Sequence, residues 1–477
     1  MSRVRRIAEE EYVVLVLLAG FGLIFLLVFP PFLLVNDSWL NLMAGREIWQ
    51  NGLPSVDELT VYGKGRTWTA QQWLAHLFFY GTHALGGHAL LAVATGVVVV
   101  GAFGIAAAGA RSLGAGPRAI WALLLPVLMA APWAWTIRAQ MLALPLYTGL
   151  LWILASQARN PTRRVWLAIP ILVLWANLHG SVALGALLVM LLAVHELVRS
   201  RGASYRRSGP LLLLAPLATL VTPYGPAAAA LYYHLLLIDP PFAGRVTEWN
   251  WSAPTVNTMF FYVLVAIAVA LVWLGRRRLT AFDVAVLALT LVGAVTAIRG
   301  IAWFALACMV LLPVAIGRSL ESRRPAQPLR RLNRAIAVGC TALLVGTVAY
   351  LLARDEAWYE SEWPRGPLEA VREELGEGDL VYAPDRFSDW LLWKIPELRG
   401  RVAYDVRFEI YDRAFFERLG RYAVQEGRDW KEIAEPFRIV LVDETMGSQT
   451  DDFLAEPGAR AVYRDDEVTV IVRRPPS

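Results

Sequence analysis

The chain has 477 residues, of which 57% are hydrophobic and 18% are charged, a composition that excludes an ordinary soluble protein of this size and indicates an integral membrane protein. Residues 1–353 carry 27 Lys and Arg against 12 Asp and Glu, whereas residues 354–477 carry 18 against 28. The excess basic residues are scattered over short loops, so they do not indicate a nucleic-acid partner, and the two cysteines lie in apolar runs, which excludes a disulfide framework and a thiolate metal cluster.

Apolar runs predict about eleven membrane crossings. The first, from Tyr12 to Val35, is long enough to cross a hydrocarbon core of roughly 30 Å and has no small-residue cleavage site, so we expect an uncleaved first helix. Two later runs, 165–178 and 209–222, are short enough to be buried or broken helices. The runs after the first are 88–109, 119–134, 140–157, 165–178, 181–198, 209–222, 256–274, 280–297, 301–317 and 335–353.

Basic residues in the connections predict the orientation. One set of alternate connections, which includes the N-terminus, holds 21 arginines, and the other set, leaving out the C-terminal tail, holds six basic residues. Because positive charge favours the cytoplasmic side, the N-terminus is predicted to be cytoplasmic. The loops at 36–87 and 223–254 and the tail from Arg354 are then extracytoplasmic.

After Leu352 the long apolar runs end, and short strand and helix patterns follow. Strand patterns at 379–383, 401–405 and 438–442, helix patterns at 388–394 and 412–435, and a hairpin pattern at 459–474 predict a small soluble α/β domain with a partly parallel sheet. It contains no glycine-rich phosphate loop, so no nucleotide site is expected. The predicted division is a transmembrane domain at 1–353 and an extracytoplasmic domain at 354–477.

Polar residues gather at the predicted outside junctions. Each is expensive to bury in a membrane, so their recurrence at one depth predicts an externally open cavity in which acids and cations converge. The candidate residues are Asp37, Asp57, His76, Arg138, Gln140, Asn177, His179, Tyr224, Glu248 and Arg299.

Two aspartates of the first loop are the candidate catalytic acids. Asp37 directly follows the first helix, where partial burial would favour its use as a general base. Its alternative role is to cap the next stretch, 38–49, whose helical spacing of apolar residues predicts a helix lying along the membrane surface. Asp57 is either a second acid or a plain loop aspartate. A second amphipathic stretch, 68–85, is also expected to pack on the membrane surface.

The cations suit an anionic ligand. Arg138 and Arg299 lie near helix ends on the predicted outside, and a guanidinium fork matches phosphate. The alternative is an internal salt bridge, for example to Glu248 or Asp57, and His179 is either a ligand-binding or a structural histidine. The six histidines form no HxxxH or HExxH pattern, so a histidine metal site is not indicated. Binding of Mg²⁺ or Mn²⁺ by carboxylates stays an open alternative.

Several stretches resemble the bacterial GT-C type membrane glycosyltransferases. Those of the first loop are 37–46, 51–57, 65–68 and 72–74, and the later ones are 138–140, 175–180, 222–225, 248–249 and 405–411. The resemblance implies a polytopic helical enzyme of the bacterial plasma membrane, with amphipathic helices in its first external loop. Its reaction would move a hexose or pentose from a polyprenyl-phosphate donor to a hydroxyl of a glycan, lipid or protein acceptor.

The resemblance also implies roles for residues. Asp37 occupies the position of the family's acidic residue, as general base or metal-linked acid, and Asp57 is the candidate second acid. Where many members have paired acids, this chain has Asn36 before Asp37, which puts tight metal ligation in doubt.

Three other functions stay open at this point. A lipid-linked glycan ligase or polymerase would use the same groups, whereas a lipid or glycan transporter would favour internal repeats, of which we find none. A tail that binds other envelope proteins is the third, and it is compatible with an enzyme in the membrane part. The alternating Asp405, Arg407 and Glu409 of the tail are expected simply to form an ion-paired strand edge.

Overall fold

A computed structural model describes residues 12–28, 33–242, 244, 246–317, 330–445 and 449–474. The basic N-terminus, Arg245 and residues 318–329 of the last arginine-rich connection lie outside the described residues. The chain divides into two compact units. The helical unit comprises residues 1–33, 86–226 and 247–355, and the α/β unit comprises residues 34–85, 227–246 and 356–477.

This division shares one boundary with the predicted domains. The α/β unit begins its last segment at Glu356, close to the predicted start of the tail domain at 354. It also takes in the first predicted outside loop and residues 227–246, which the sequence analysis places with the membrane part. The amphipathic first loop therefore packs with the tail as one structural unit.

The helical unit consists of apolar helices in the order of the predicted runs. Each predicted run after the first overlaps a helix of the structure, and the first helix covers Tyr12–Val28. The remaining helices of this unit are the later part of Trp73–Ser112, then Pro117–Ala130, Ala139–Arg159, Ala168–Ala176, Val182–Arg199, Tyr205–Ala218, Met259–Gly275, Ala281–Thr296, Ile301–Ile316 and Arg330–Leu352.

Five helices in the described part are long and apolar enough to cross a membrane. They are Trp73–Ser112, Ala139–Arg159, Val182–Arg199, Ile298–Ile316 and Arg331–Leu352. Shorter apolar helices accompany them, so a multi-pass membrane protein is supported while the number of eleven crossings stays a prediction.

The helix Ile301–Ile316 forms the core of the helical unit. All of its residues up to Ala315 are buried, and it packs against Pro117–Ala130, Met259–Gly275 and Ala281–Thr296. An all-round apolar helix is typical of a protein core or of a membrane span, and here the neighbouring helices bury it.

Two polar clusters mark the opposite ends of the helix Ala139–Arg159. Arg138 precedes its first turn, and at the last residue Arg159 donates to both carboxylate oxygens of the fully buried Asp283, at 3.0 and 2.7 Å. A helix of 21 residues is about 31 Å long, close to the thickness of a bilayer core. The two arginines are thus spaced as expected for residues predicted on opposite sides of a membrane.

The α/β unit begins with the first-loop helix, Asn36–Asn51, which confirms the predicted helix and extends it at both ends. The second predicted amphipathic stretch is the early part of the helix Trp73–Ser112, and it ends at a break where Gly86 and Gly87 leave helical geometry. Gly87 has φ of +60°, which glycine adopts without a steric penalty. The break separates the amphipathic stretch from the predicted crossing that follows.

The tail contains a four-stranded sheet in the order β1-β2-β4-β3. The strands are β1 Val381–Tyr382, β2 Ile439–Asp443, β3 Arg460–Arg464 and β4 Val468–Val472. β1 is parallel to β2, and β4 is antiparallel to both β2 and β3. The partly parallel sheet and the C-terminal hairpin were both predicted. The helices of the tail are Glu356–Tyr359, Arg365–Glu374, Asp385–Lys394, Arg413–Val424 and Thr450–Leu454.

Two elements differ from the predictions. Residues 401–405 do not form a strand of the sheet, and only Val402 makes bridge contacts, to Thr60 and Val381. The predicted loop 223–254 contains a helix, Gly225–Tyr233, which continues as a π-helical turn to Ile238. That helix is apolar but too short to be recognised as a crossing.

Candidate active site

The predicted site residues are divided between the two units. The helical unit contains Arg138, Gln140, Asn177, His179, Tyr224, Glu248 and Arg299, and the α/β unit contains Asp37, Asp57 and His76. The predicted convergence of all ten in one cavity stays a prediction, and each cluster is described by itself.

Arg138 and Glu248 form an ion pair in the helical unit. Arg138 occupies the cap position before Ala139–Arg159, and its Nη1 donates to Oε1 of Glu248 at 2.5 Å. Burial raises the pKa of Glu248, but the charges of Arg138 and Arg299 outweigh burial and lower that pKa below its usual value. The salt bridge considered as an alternative for Arg138 is therefore present.

Arg299 differs from Arg138 because its guanidinium has no carboxylate partner among the described residues. It lies over the ring of Trp249, with its Cζ atom 4.7 Å from the ring centroid. The short helical turns that carry the two residues are held together by a backbone hydrogen bond from Ile298 to the carbonyl of Asn250, 3.1 Å long. A half-buried guanidinium held on an aromatic face leaves its N–H groups available to an anion.

His179 is a neutral hydrogen-bond donor in the same cluster. Nδ1 of His179 accepts from the backbone N–H of Ser181 at 3.1 Å and lies 2.7 Å from the Ser181 hydroxyl, and the tautomer that fits both contacts carries the ring proton on Nε2. Burial, together with the charges of Arg299 and Arg138, lowers the pKa of His179 to about 3. Nε2 has no partner among the described residues, so its N–H can donate to a ligand.

The other three predicted residues of the helical unit have different surroundings. Asn177 donates to the carbonyls of Val173 and Val221, at 2.8 and 2.9 Å, and so ties two turns together. Gln140 is nearly buried in the first turn after Arg138, and its amide is not bonded to any described residue. Tyr224 lies half-buried just before the helix that begins at Gly225.

Asp37 lies in the first turn of the first-loop helix and is partly exposed. The cap residue of that helix is Val35, so Asp37 is not the cap considered as its alternative role. The backbone carbonyl of Asp37 accepts a 2.6 Å hydrogen bond from Asn41 Nδ2, and Asn41 Oδ1 lies 2.9 Å from Nδ1 of His76.

His76 supports the helix of Asp37 as a buried neutral histidine. Its side chain is 5% exposed, and burial, with a contribution from the charge of Arg407, lowers the pKa of His76 to about 3. Since the unfolded chain binds a proton below about pH 6.5 and the folded chain does not, the stability that neutral His76 provides is complete above pH 6.5 and is lost progressively as the pH falls towards 3.

We expect His76→Gln to weaken this acid sensitivity. Glutamine keeps a donor for Asn41 and cannot ionise, so the wild type should lose up to about 1.4 kcal/mol per pH unit relative to the variant below pH 6.5. The measurement is the thermal unfolding midpoint of both proteins in detergent between pH 5 and 8. A difference between them that is independent of pH would contradict this account of His76.

Asp57 belongs to a fully buried ion-pair network. Its two oxygens accept hydrogen bonds from the backbone of Leu59 and Thr60 and from the Thr60 hydroxyl, and Arg407 Nη2 donates to Oδ1 at 2.7 Å. Arg407 also donates from Nε and Nη2 to Oδ2 of Asp405, at 2.8 and 2.5 Å. Burial raises the pKa of Asp57, but Arg407 and these donors hold it below its usual value.

Sequence reasoning missed several members of this network. Arg407 lies with its Cζ atom 4.1 Å from the centroid of Trp68, and Tyr411 donates to Oδ1 of Asp405 at 3.3 Å. The sequence grouped Asp405 and Arg407 as an ion pair along a strand; the ion pair exists, but the segment is a loop. No local signal links Arg407 to Asp57, 350 positions earlier in the chain.

The fold is similar to that of a known enzyme. The chain matches ArnT from Cupriavidus metallidurans, a GT-C glycosyltransferase, in a crystal structure bound to undecaprenyl phosphate, with a TM-score of 0.54, 16% sequence identity and coverage of 96% of this chain and 97% of that chain. The apo structure of ArnT gives a TM-score of 0.54 and 15% identity over the same shares of both chains. No protein-family model and no curated protein matches the sequence. This similarity supports a fold like the one that the sequence resemblance implies, with several apolar helices and a small C-terminal sheet.

Proposed function

We propose that the protein is a membrane glycosyltransferase that moves a sugar from a polyprenyl-phosphate donor to an acceptor hydroxyl on the extracytoplasmic face, with inversion. The observation that carries this proposal is the fold shared with ArnT over nearly the whole of both chains. The ArnT structure contains undecaprenyl phosphate, and the helical unit of this chain has polar groups suited to such a ligand.

The cluster of the helical unit would bind the lipid phosphate. The N–H groups of Arg299 and the Nε2–H group of His179 have no hydrogen-bond partner in the described part of the chain and can donate to a phosphate. Glu248 is ion-paired with Arg138, which reduces its repulsion of an anion. As the bond between the anomeric carbon and the phosphate oxygen breaks, negative charge grows on the phosphate, and fixed cations and N–H donors stabilise that charge.

Asp37 would serve as the general base. The acceptor hydroxyl oxygen forms the new bond to the anomeric carbon and gives its proton to Asp37, and polyprenyl phosphate leaves with the electron pair. One displacement of this kind inverts the anomeric centre. Both oxygens of Asp57 are already hydrogen-bonded and buried, so we assign the base to Asp37 and a structural role to Asp57.

Binding of the lipid phosphate tests the role of Arg299. Hydrogen bonds to charged groups contribute about 1.5–3 kcal/mol, so Arg299→Ala should weaken binding of undecaprenyl phosphate by roughly 10- to 100-fold. Arg299→Lys should recover part of the affinity, because it keeps the charge without the planar fork. Arg276→Ala removes an arginine of the opposite predicted side and is the control. Unchanged binding by Arg299→Ala would contradict this assignment.

The function itself is tested by transfer. Purified protein is incubated with radiolabelled polyprenyl-phosphate sugars and with membrane glycans, lipids and proteins as acceptors, and we expect label in an acceptor. EDTA added to the same assay tests whether transfer requires a divalent cation such as Mg²⁺ or Mn²⁺, which carboxylates could bind. A wild-type protein that transfers no label but moves labelled lipid across reconstituted vesicles would be a transporter, and the proposal would be wrong.

A further inference from the structure

Asp389 is a buried acid of the α/β unit that the proposed reaction does not yet use. It lies on the helix Asp385–Lys394 and is 1% exposed. Its Oδ2 accepts a 3.3 Å hydrogen bond from the backbone N–H of Val406. Its Oδ1 is buried and has no hydrogen-bond partner among the described residues. A buried polar atom of this kind is unusual and requires a physical explanation.

The charges around Asp389 favour its neutral form. Arg407 is the neighbouring cation, and it is already bound to the carboxylates of Asp57 and Asp405. Asp389 has no ion-pair partner of its own in the described part of the chain. An isolated buried carboxylate retains its proton, because ionisation inside the protein costs more than it does in water. Burial and the charge of Asp405 accordingly raise the pKa of Asp389 well above its usual range.

Asp389 and the proposed base lie on two helices that pack together. The helix Asp385–Lys394 packs against the first-loop helix, where Arg46 donates to the carbonyls of Leu392 and Trp393 at 2.6 and 2.9 Å. The charge of Asp37 is near enough to raise the pKa of Asp389. Three charged or titratable groups therefore influence Asp389 from the elements around it: Asp405, Arg407 and Asp37. Glu409, whose pKa is raised by burial to about 7, is influenced by the same three groups.

We propose that Asp389 is a positioning residue that keeps its proton and donates it as a hydrogen bond to the carboxylate of Asp37 during transfer. The inference rests on the proposed function. Two neighbouring carboxyl groups in one site divide into an ionised member and a neutral member, since both cannot ionise at low cost. Asp37, partly exposed, is the base that receives the proton of the acceptor hydroxyl, and Asp389, fully buried, is the donor that orients it. The tail domain thereby contributes to the active site.

Three variants of the full-length protein in detergent test this role. Asp389→Asn keeps a donor and should retain the wild-type transfer rate at pH 7 within about threefold, whereas Asp389→Ala removes the donor and should lower kcat about tenfold or more. The wild type should lose activity at high pH as Asp389 ionises and stops donating, and Asp389→Asn should lack that alkaline loss. Asp385→Asn, which changes a carboxylate on the same helix, should leave both the rate and the pH profile unchanged.

The outcomes separate this inference from the proposed function. A wild type that transfers no sugar overturns both. An active wild type whose rate and pH profile match those of Asp389→Ala overturns the role of Asp389 alone. An inactive Asp389→Asn, together with loss of wild-type activity in EDTA, would mean that the charge of Asp389 holds a cation, and it also overturns the inference. Thermal unfolding of each variant shows whether a lost rate reflects lost folding.

Discussion

Replacing Asp37 by asparagine should abolish sugar transfer and leave the protein folded. Asparagine fits the same position in the first turn of the helix Asn36–Asn51 and preserves the backbone hydrogen bond from Asn41, but it cannot accept the proton of the acceptor hydroxyl. Removing a general base typically lowers a rate by about 10²- to 10⁴-fold. The measurement is transfer of label from a polyprenyl-phosphate sugar by the wild type and the variant at equal protein concentration.

A matched control lies in the same loop. Glu58→Gln neutralises a carboxylate whose side chain is 58% exposed and pairs with Arg399, so it should change transfer little. Binding of undecaprenyl phosphate should be unchanged in both variants, because the proposed phosphate ligands lie in the helical unit. Transfer by Asp37→Asn at the wild-type rate would remove Asp37 from the mechanism.

The helices could be predicted because their signals are local. Every predicted apolar run after the first overlaps a helix, and the first-loop helix was found from apolar spacing at 38–49. The helix Gly225–Tyr233 was missed because a stretch of nine residues that begins with a glycine and a proline resembles a loop more than a crossing. Local pattern thus identified the long helices and the hairpin, and failed where an element was short.

The site could be predicted only in part, because its partners are distant in sequence. A salt bridge between Arg138 and Glu248 was considered as an alternative, since both were expected at outside junctions. The strand expected at 401–405 did not form; instead the segment is a loop in which Asp405 binds Arg407 and Arg407 reaches Asp57. The alternation of charged residues in the sequence is typical of an exposed strand edge, and the burial of Asp405 and Arg407 is visible only in the tertiary structure.

Arg407→Ala should destabilise the α/β unit more than any surface substitution. Arg407 is 2% exposed and is the cation bound to the fully buried Asp57 and Asp405. Its removal leaves two buried carboxylates without that partner, and breaking a buried pair in this way costs about 3–5 kcal/mol. Contact with the ring of Trp68 is lost as well. We expect a clear fall in the thermal unfolding midpoint and faster proteolysis within residues 356–477.

Two further variants test whether the loss of stability in Arg407→Ala is caused by unpaired buried charge. Arg399→Ala removes an arginine that is 42% exposed and bound to Glu47 and Glu58, and because surface ion pairs contribute about 0–1 kcal/mol it should have a small effect. Adding Asp57→Asn to Arg407→Ala should restore part of the stability, since it removes one of the buried charges that the first substitution leaves without its cation. If Arg407→Ala and Arg399→Ala lowered the unfolding midpoint equally, the buried network would not be what stabilises this unit.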